Sequence, residues 1–269
     1  MTGAVPEAGL GRLLLALQFT DSSFPSGMYT LSHGLEGLAQ EGRVDADSLA
    51  DMVHGILRHS TGPADATALA LAWSAVAEHG GGAAPGKHGD MAVPGGAVPG
   101  EAGPDASGCG ATELLAALTR IDRRLHATRL TREFRDGATR TGRQVLDLAA
   151  EILDDPVVDA WNAHVRAKRA PGSQSVVMGV VYARGGLTRR EAVAADLTAV
   201  VISMAGAALR LRLADHRSAQ ALVRGAAPVI EEVTDAALRR PLEWIGGSAP
   251  GLDLASCRHE HAEARLFAS

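Results

Sequence analysis

The sequence is poor in cysteine, and it carries no strong excess of either charge. Its two cysteines, Cys109 and Cys257, cannot form a disulfide framework or a four-thiolate zinc site within one chain of 269 residues. The 26 Lys and Arg against 31 Asp and Glu give a net charge of −5, which offers no global attraction for nucleic acid or an anionic membrane. No run reaches the roughly 18 apolar residues of a membrane span, and the first twelve residues do not resemble a secretory signal. We therefore expect a cytoplasmic protein that binds neither nucleic acid nor a membrane.

Aromatic residues are also scarce, since the chain has only three Trp, two Tyr and four Phe. Leu, Val, Ile and Ala must therefore build the core, and an Ala-rich core favours packed helices. Apolar residues recur at steps of three and four, as in the set Leu114, Leu118, Ile121 and Leu125, which predicts amphipathic helices. The Val-rich stretch 174–182 is assigned to a helix because no second strand is evident to pair with it. The prediction is an all-α fold, a single domain of about ten helices over residues 1–269.

Local signals place some of the helix ends. Pro63 suits the first turn of a fourth helix, and Thr188 with Glu191 forms a capping box at the start of a later one. Residues 80–110 hold eleven Gly and four Pro but no Leu, Ile or Phe, so burial cannot offset the entropy of ordering them. We predict a disordered insertion there, whose removal should leave helix content nearly unchanged.

Signatures of common enzymes are missing. The chain has no G-x-S-x-G elbow, no H-E-x-x-H helix and no C-x-x-C pair. Gly81, Gly86 and Lys87 spell most of a phosphate loop, but His88 stands where Ser or Thr should bind magnesium, and the Gly-rich context lacks the required strand and helix. We predict no enzyme activity and no catalytic residues.

Arginine is concentrated between residues 120 and 143, where eight Arg face only three acidic residues. RNA binding would usually add stacking aromatic side chains, and this stretch contains only Phe134. The pattern therefore favours a solvated basic face or a protein-docking surface.

The C-terminal segment offers the one candidate metal site. Cys257, His259 and His261 cluster there, and with Glu260 or Glu263 they could bind nickel or zinc. On a helix, His259 and His261 would lie about 200° apart, which favours a polar tail that is solvated or forms an interface. No metal site is expected, and nickel binding by the three residues is kept as the alternative.

Two segments at opposite ends resemble one known family. Residues 17–36 read LQFTDSSFPSGMYTLSHGLE, and residues 252–260 and 265–269 read LDLASCRHE and RLFAS. These segments are similar to the opening signature and the carboxyl tail of the urease accessory protein UreF family. Residues 131–142 and 207–211 are similar to two further segments of that family, so the resemblance covers most of the chain.

The resemblance implies an all-helical homodimer that binds UreD and the nickel-loaded GTPase UreG. The resulting complex would install nickel in apo-urease, so the chain would act as an assembly chaperone with no cofactor of its own, and its partners would handle nickel and GTP. The alternative is a metallochaperone that binds nickel directly through the tail cysteine and histidines.

The resemblance also implies which residues bind partners or regulate them, mostly in or near a partner-binding tail at 241–269. These residues are Tyr29, Glu36, Glu133, Arg135, Arg210, Arg258, His259, Glu260, Arg265, Leu266 and Phe267. Glu36 and Arg210 are expected near the surface that manages the GTPase. Their alanine variants should keep the fold and change the yield of activated urease.

Overall fold

The structure is a computed structural model that describes residues 8–81 and 106–268. These residues form helices and no strand, which confirms the all-α prediction. Two short 3₁₀ turns lie at Met28–Thr30 and Leu242–Trp244. The α-helices are α1 (Ala8–Thr20), α2 (Leu35–Gln40), α3 (Leu49–Ile56), α4 (Thr67–His79), α5 (Ala106–Thr128), α6 (Arg132–Leu153), α7 (Pro156–Arg166), α8 (Gln174–Arg184), α9 (Arg189–Arg210), α10 (His216–Gly225), α11 (Ala227–Ala237) and α12 (Pro250–His259).

The third and fourth predicted helices are one continuous rod. A π-helical segment, Leu57–Ala66, joins α3 to α4, and Pro63 lies inside it. The prediction that Pro63 opens a new helix is therefore wrong. A wider helical turn tolerates a residue without an N–H. Carbonyl groups along this segment accept bonds from a distant loop, because Gly246 N–H donates to Pro63 O at 3.1 Å and Ser248 N–H to His59 O at 2.8 Å.

Helix α8 lies at the centre of the core, so the helix predicted for residues 174–182 is confirmed. Its valines are fully buried. Gly179 brings α8 against α4, since a Cβ at this position would lie 2.6 Å from Leu69 O. Buried apolar residues from the helices on either side of the 82–105 gap join one continuous core.

Helix α9 begins with the predicted capping box, in which Thr188 and Glu191 bond each other's backbone N–H. By length and composition it could cross a bilayer, although the sequence analysis expected no segment of that kind. However, 56% of its most apolar window is buried against other helices, as in the core helix of a folded domain.

Helix α1 carries four leucines on its outer face. Leu10, Leu13, Leu14 and Leu17 are more than half exposed, at the i, i+3, i+4, i+7 spacing of a single stripe. The opposite face packs on α9, and Leu15 contacts the end of α8 at Gly185. An apolar stripe is thus left open along the whole helix.

The segment between α4 and α5 ends earlier in the structure than the sequence predicted. Helix α5 begins at Ala106, so the expectation of a loop as far as residue 110 is wrong. Residues 82–105, including most of the phosphate-loop spelling, lie outside the described residues.

Candidate partner-binding site

The C-terminal segment is folded onto the helical body. Helix α12 packs on α2 and on the start of α6. A Cβ at Gly37 would lie 2.8 Å from Ala255 O, so α2 and α12 meet backbone against backbone. Of the two expected forms of the polar tail, the solvated one is wrong for one face of α12 and for Phe267, which are buried. Small residues at the helix contact allow this approach, and hydropathy alone does not reveal it.

A buried histidine lies between two carboxylates beneath α12. His259 Nε2 is 2.9 Å from Glu36 Oε2, and His259 Nδ1 is 3.0 Å from both carboxylate oxygens of Glu133. The exposed fractions of the three residues are 4% for Glu36, 7% for Glu133 and 2% for His259. Both ring nitrogens of His259 thus face carboxylate oxygens from two different helices. We call Glu36, Glu133 and His259, with Arg265, the tail-anchor cluster.

The last residues of the chain complete this cluster. Arg265 Nη1 donates to Glu133 Oε1 at 3.1 Å. The backbone N–H groups of Leu266 and Phe267 donate to the two oxygens of Glu36 at 2.7 and 2.9 Å. Glu36 thus accepts three hydrogen bonds from the C-terminal segment. A carboxylate bonded in this way fixes both the helix and the chain that follows it.

An arginine between two aromatic rings lies beside the tail-anchor cluster. The guanidinium carbon of Arg210, at the end of α9, is 3.9 Å from the Tyr29 ring centroid and 4.1 Å from that of Phe267. Arg210 Nη1 also donates to Tyr29 O at 2.7 Å. Burial lowers the pKa of Arg210, an effect that Tyr29 opposes. This aromatic stack joins three segments that are far apart in sequence.

Two exposed apolar side chains, Tyr29 and Leu266, lie beside the tail-anchor cluster. Tyr29 is 65% exposed and Leu266 is 60% exposed, although both are held from below by the stack and the cluster. Exposed apolar side chains on a fixed backbone are typical of the centre of a protein interface. Tyr29 and Leu266 are therefore candidate contact residues for a partner protein.

The structure brings most of the predicted residues together. Glu260 Oε1 accepts from the backbone N–H of Glu133 at 3.0 Å, so it borders the tail-anchor cluster. Arg258 pairs instead with Glu41 at 2.9 Å on the exposed side of α12. Arg135 lies apart and donates to the carbonyl oxygens of Arg129 and Leu130 at the end of α5.

The placement corrects the expectation for Glu36 and Arg210. Glu36 is not a surface carboxylate, and it does not contact Arg210, whose partners are the aromatic rings. Loss of its side chain would remove the partner of His259 Nε2 and of two backbone N–H groups, so a fold-neutral Glu36→Ala is no longer expected.

Ser256 is a site residue that the sequence analysis missed. Its hydroxyl donates to Thr131 Oγ1 at 3.0 Å and lies 3.4 Å from Glu133 Oε2. The available signal was its position three residues before His259, on the same helical face.

The three candidate metal ligands do not converge. Cys257 is exposed, whereas both ring nitrogens of His259 contact carboxylates. His261 follows the end of α12 on the exposed side. Within residues 8–81 and 106–268, no group of three His, Cys, Asp or Glu side chains lies close enough to hold a metal ion.

The predicted basic face is divided by the fold. Arg124, Arg140 and Arg143 each donate to groups elsewhere in the protein, and Arg129 pairs with Asp65. Arg120 and Arg123 remain exposed on α5.

Comparison with known proteins is consistent with this arrangement. The UreF family model matches residues 44–227. The urease accessory protein UreF of Bacillus sp. (strain TB-90) is 26% identical over 261 residues, covering 97% of this chain and 100% of that protein. The protein of the same name from Trichodesmium erythraeum (strain IMS101) is 27% identical over 264 residues, covering 98% and 99%. These relatives are accessory proteins to an enzyme, and the matches extend over both ends that build the tail-anchor cluster. The chain therefore belongs to the UreF family of urease accessory proteins.

Proposed function

We propose that this protein is required for nickel insertion into apo-urease and acts as an assembly chaperone together with UreD and the GTPase UreG. The observation that carries the proposal is the fixed apolar surface of Tyr29 and Leu266 above the buried tail-anchor cluster. Such a surface suits protein docking rather than chemistry on a small substrate.

Further features of the proposal follow from the family. The protein acts in the cytoplasm as a homodimer, has no enzymatic activity, and holds no cofactor of its own. Nickel and GTP are handled by its partners, and it reaches apo-urease through the complex. UreD docks on the surface of the tail.

The test is copurification with tagged UreD and UreG, combined with urease activation in cells that lack this chain. Leu266→Asp keeps the backbone N–H that Glu36 accepts, so the tail stays docked while the apolar surface acquires a charge. We expect loss of UreD and of activation.

The matched control is Ile152→Asp. Ile152 is 44% exposed and lies near the far end of α6, about 28 Å along the helix from Glu133. It should retain UreD and activation. Wild-type recovery of UreD by Leu266→Asp, with unchanged melting temperature, would contradict docking on the tail.

Equilibrium dialysis of the isolated chain with nickel at pH 7 distinguishes the metallochaperone alternative from the assembly chaperone. The variant Cys257→Ala with His261→Ala leaves His259 and the tail-anchor cluster intact. Tight stoichiometric binding that this variant abolishes would favour direct nickel transfer, whereas its absence in the wild type favours the assembly chaperone.

A further inference from the structure

A groove between α5 and the end of α7 is lined by arginines and by no acidic side chain. Its volume is about 700 Å³, and Arg120, Arg123 and Arg169 border it. All three side chains are exposed, and no ion pair involves them in the described parts of the chain. Charges in this state attract an anionic partner without first breaking an internal salt bridge.

A neutral histidine, His164, lies in the wall of the groove. Thr119 Oγ1 donates to Leu115 O at 2.6 Å, so it accepts from His164 Nε2, 3.0 Å away. The Nδ1 atom of His164 is then an acceptor, and it is buried with no partner. Burial, followed by the positive charges of Arg169 and Arg123, lowers the pKa of His164, which keeps the ring neutral.

The shape of the groove favours an extended chain over a single ion. Its α5 wall runs from Thr112 to Arg123, about 16 Å, which is the length of about five residues of extended polypeptide. Leu115 and Ala116 contribute apolar surface between the arginines. A polypeptide supplies carboxylates for the arginines and apolar side chains for the wall.

Nucleic acid fits this groove less well. The lining contains no Phe, Tyr or Trp on which a base could stack, and the whole chain is acidic, with a net charge of −5. A small oxyanion would use the arginines but leave the apolar wall uncovered.

We propose that the groove between α5 and α7 binds an acidic, partly apolar segment of a partner polypeptide in extended conformation. The groove shares no residue with the tail-anchor cluster or the aromatic stack. It is therefore a second docking site, and its existence does not depend on the function of the tail.

The test measures fluorescence anisotropy of a fluorescein-labelled peptide, (Glu-Leu)₄-Glu, titrated with the full chain at pH 7.5. We expect saturable binding that weakens severalfold between about 50 and 200 mM NaCl. Arg120→Glu with Arg169→Glu should weaken it about tenfold, because their side chains make no hydrogen bond that the fold needs. The peptide (Glu-Gly)₄-Glu should bind more weakly than the Leu peptide.

The control pair is Arg217→Glu with Arg224→Glu on α10, which changes the net charge equally at two exposed arginines. It should bind the Leu peptide within about twofold of wild type. Equal loss in both pairs, or no binding by a wild-type chain with normal circular dichroism, would overturn the proposal. So would displacement by 10 mM inorganic phosphate, or tighter binding of a single-stranded oligonucleotide, because either would assign the groove to another ligand.

Discussion

Glu36 illustrates how one side chain can hold a distant segment. It is buried on α2, yet its carboxylate oxygens contact the ring of His259 and the backbone N–H groups of residues 266–267. These partners are more than 220 positions away in the sequence. A buried carboxylate with this many donors is stable only while all of them are present.

We predict that Glu36→Ala destabilises the protein by about 3–5 kcal/mol, because His259 Nε2 and two backbone N–H groups lose the carboxylate that they contact. Urea unfolding followed by circular dichroism measures the change. Arg258→Ala breaks the exposed pair with Glu41 at the same helix and should cost about 1 kcal/mol or less. Similar losses in both variants would contradict the role of Glu36 as an anchor.

Asp196 predicts a distinct pH dependence. Burial, and secondarily the charge of Asp65, raise its pKa from 3.8 to about 7. The folded protein therefore keeps a proton that the unfolded chain releases, so this group's contribution to stability falls as pH rises from about 4 to about 7. His33 acts in the opposite direction, because burial lowers its pKa to about 4 and its contribution rises between that pH and 6.5.

The variant Asp196→Asn isolates the first effect. At pH 8 its free energy of unfolding, measured by urea titration, should exceed that of wild type by as much as ~4 kcal/mol. At pH 4 the two free energies should be similar. A constant difference across this range would show that the carboxyl group is not the cause.

At the scale of the element, close helix contacts depend on single glycines. Gly179→Ala would place a Cβ 2.6 Å from Leu69 O and 2.8 Å from Ala72 Cβ, which forces α8 away from α4. We expect a loss of about 1–3 kcal/mol in the free energy of unfolding, measured by urea titration.

The matched variant lies in α9, where a Cβ at Gly206 meets nothing within 4 Å. Gly206→Ala should stabilise the protein by up to about 1 kcal/mol, because alanine restricts the unfolded chain. If both variants were stabilising, the close packing of α4 and α8 would not limit stability.

The helices themselves could be predicted, because periodicity and caps are local signals. Thr188 and Glu191 placed the start of α9 correctly, and the Val-rich stretch proved to be α8. Pro63 was misplaced, since its surroundings in the rod depend on a loop 180 residues later. The burial of His259 could not be predicted for the same reason, because it depends on carboxylates on α2 and α6 that are distant in sequence.

At the scale of the whole molecule, the leucine stripe of α1 is an apolar surface left exposed by the described residues. Four leucines more than half exposed along one helix are unusual on a monomer. The proposed homodimer gives them a partner, since two uncharged stripes can pack against each other about a two-fold axis.

We predict that Leu13→Asp with Leu17→Asp shifts the protein from dimer to monomer in multi-angle light scattering, with its helix content retained. Each aspartate would place a charge in the interface, while Leu15 on the other face still packs at Gly185. If the variant remained a dimer, the dimer interface would lie on another face of the protein. The control is Ile152→Asp, which places a charge at a single exposed apolar residue outside the stripe.

The link between Glu36 and Phe267 has a consequence for folding. It closes a loop of 231 residues, and contacts of that separation are among the slowest to form. Glu36 and Glu133 therefore stay uncovered until residues 259–267 pack onto the helical body. Because the same step fixes the backbone of Leu266, the surface proposed to bind a partner forms together with the last long-range contacts of the fold.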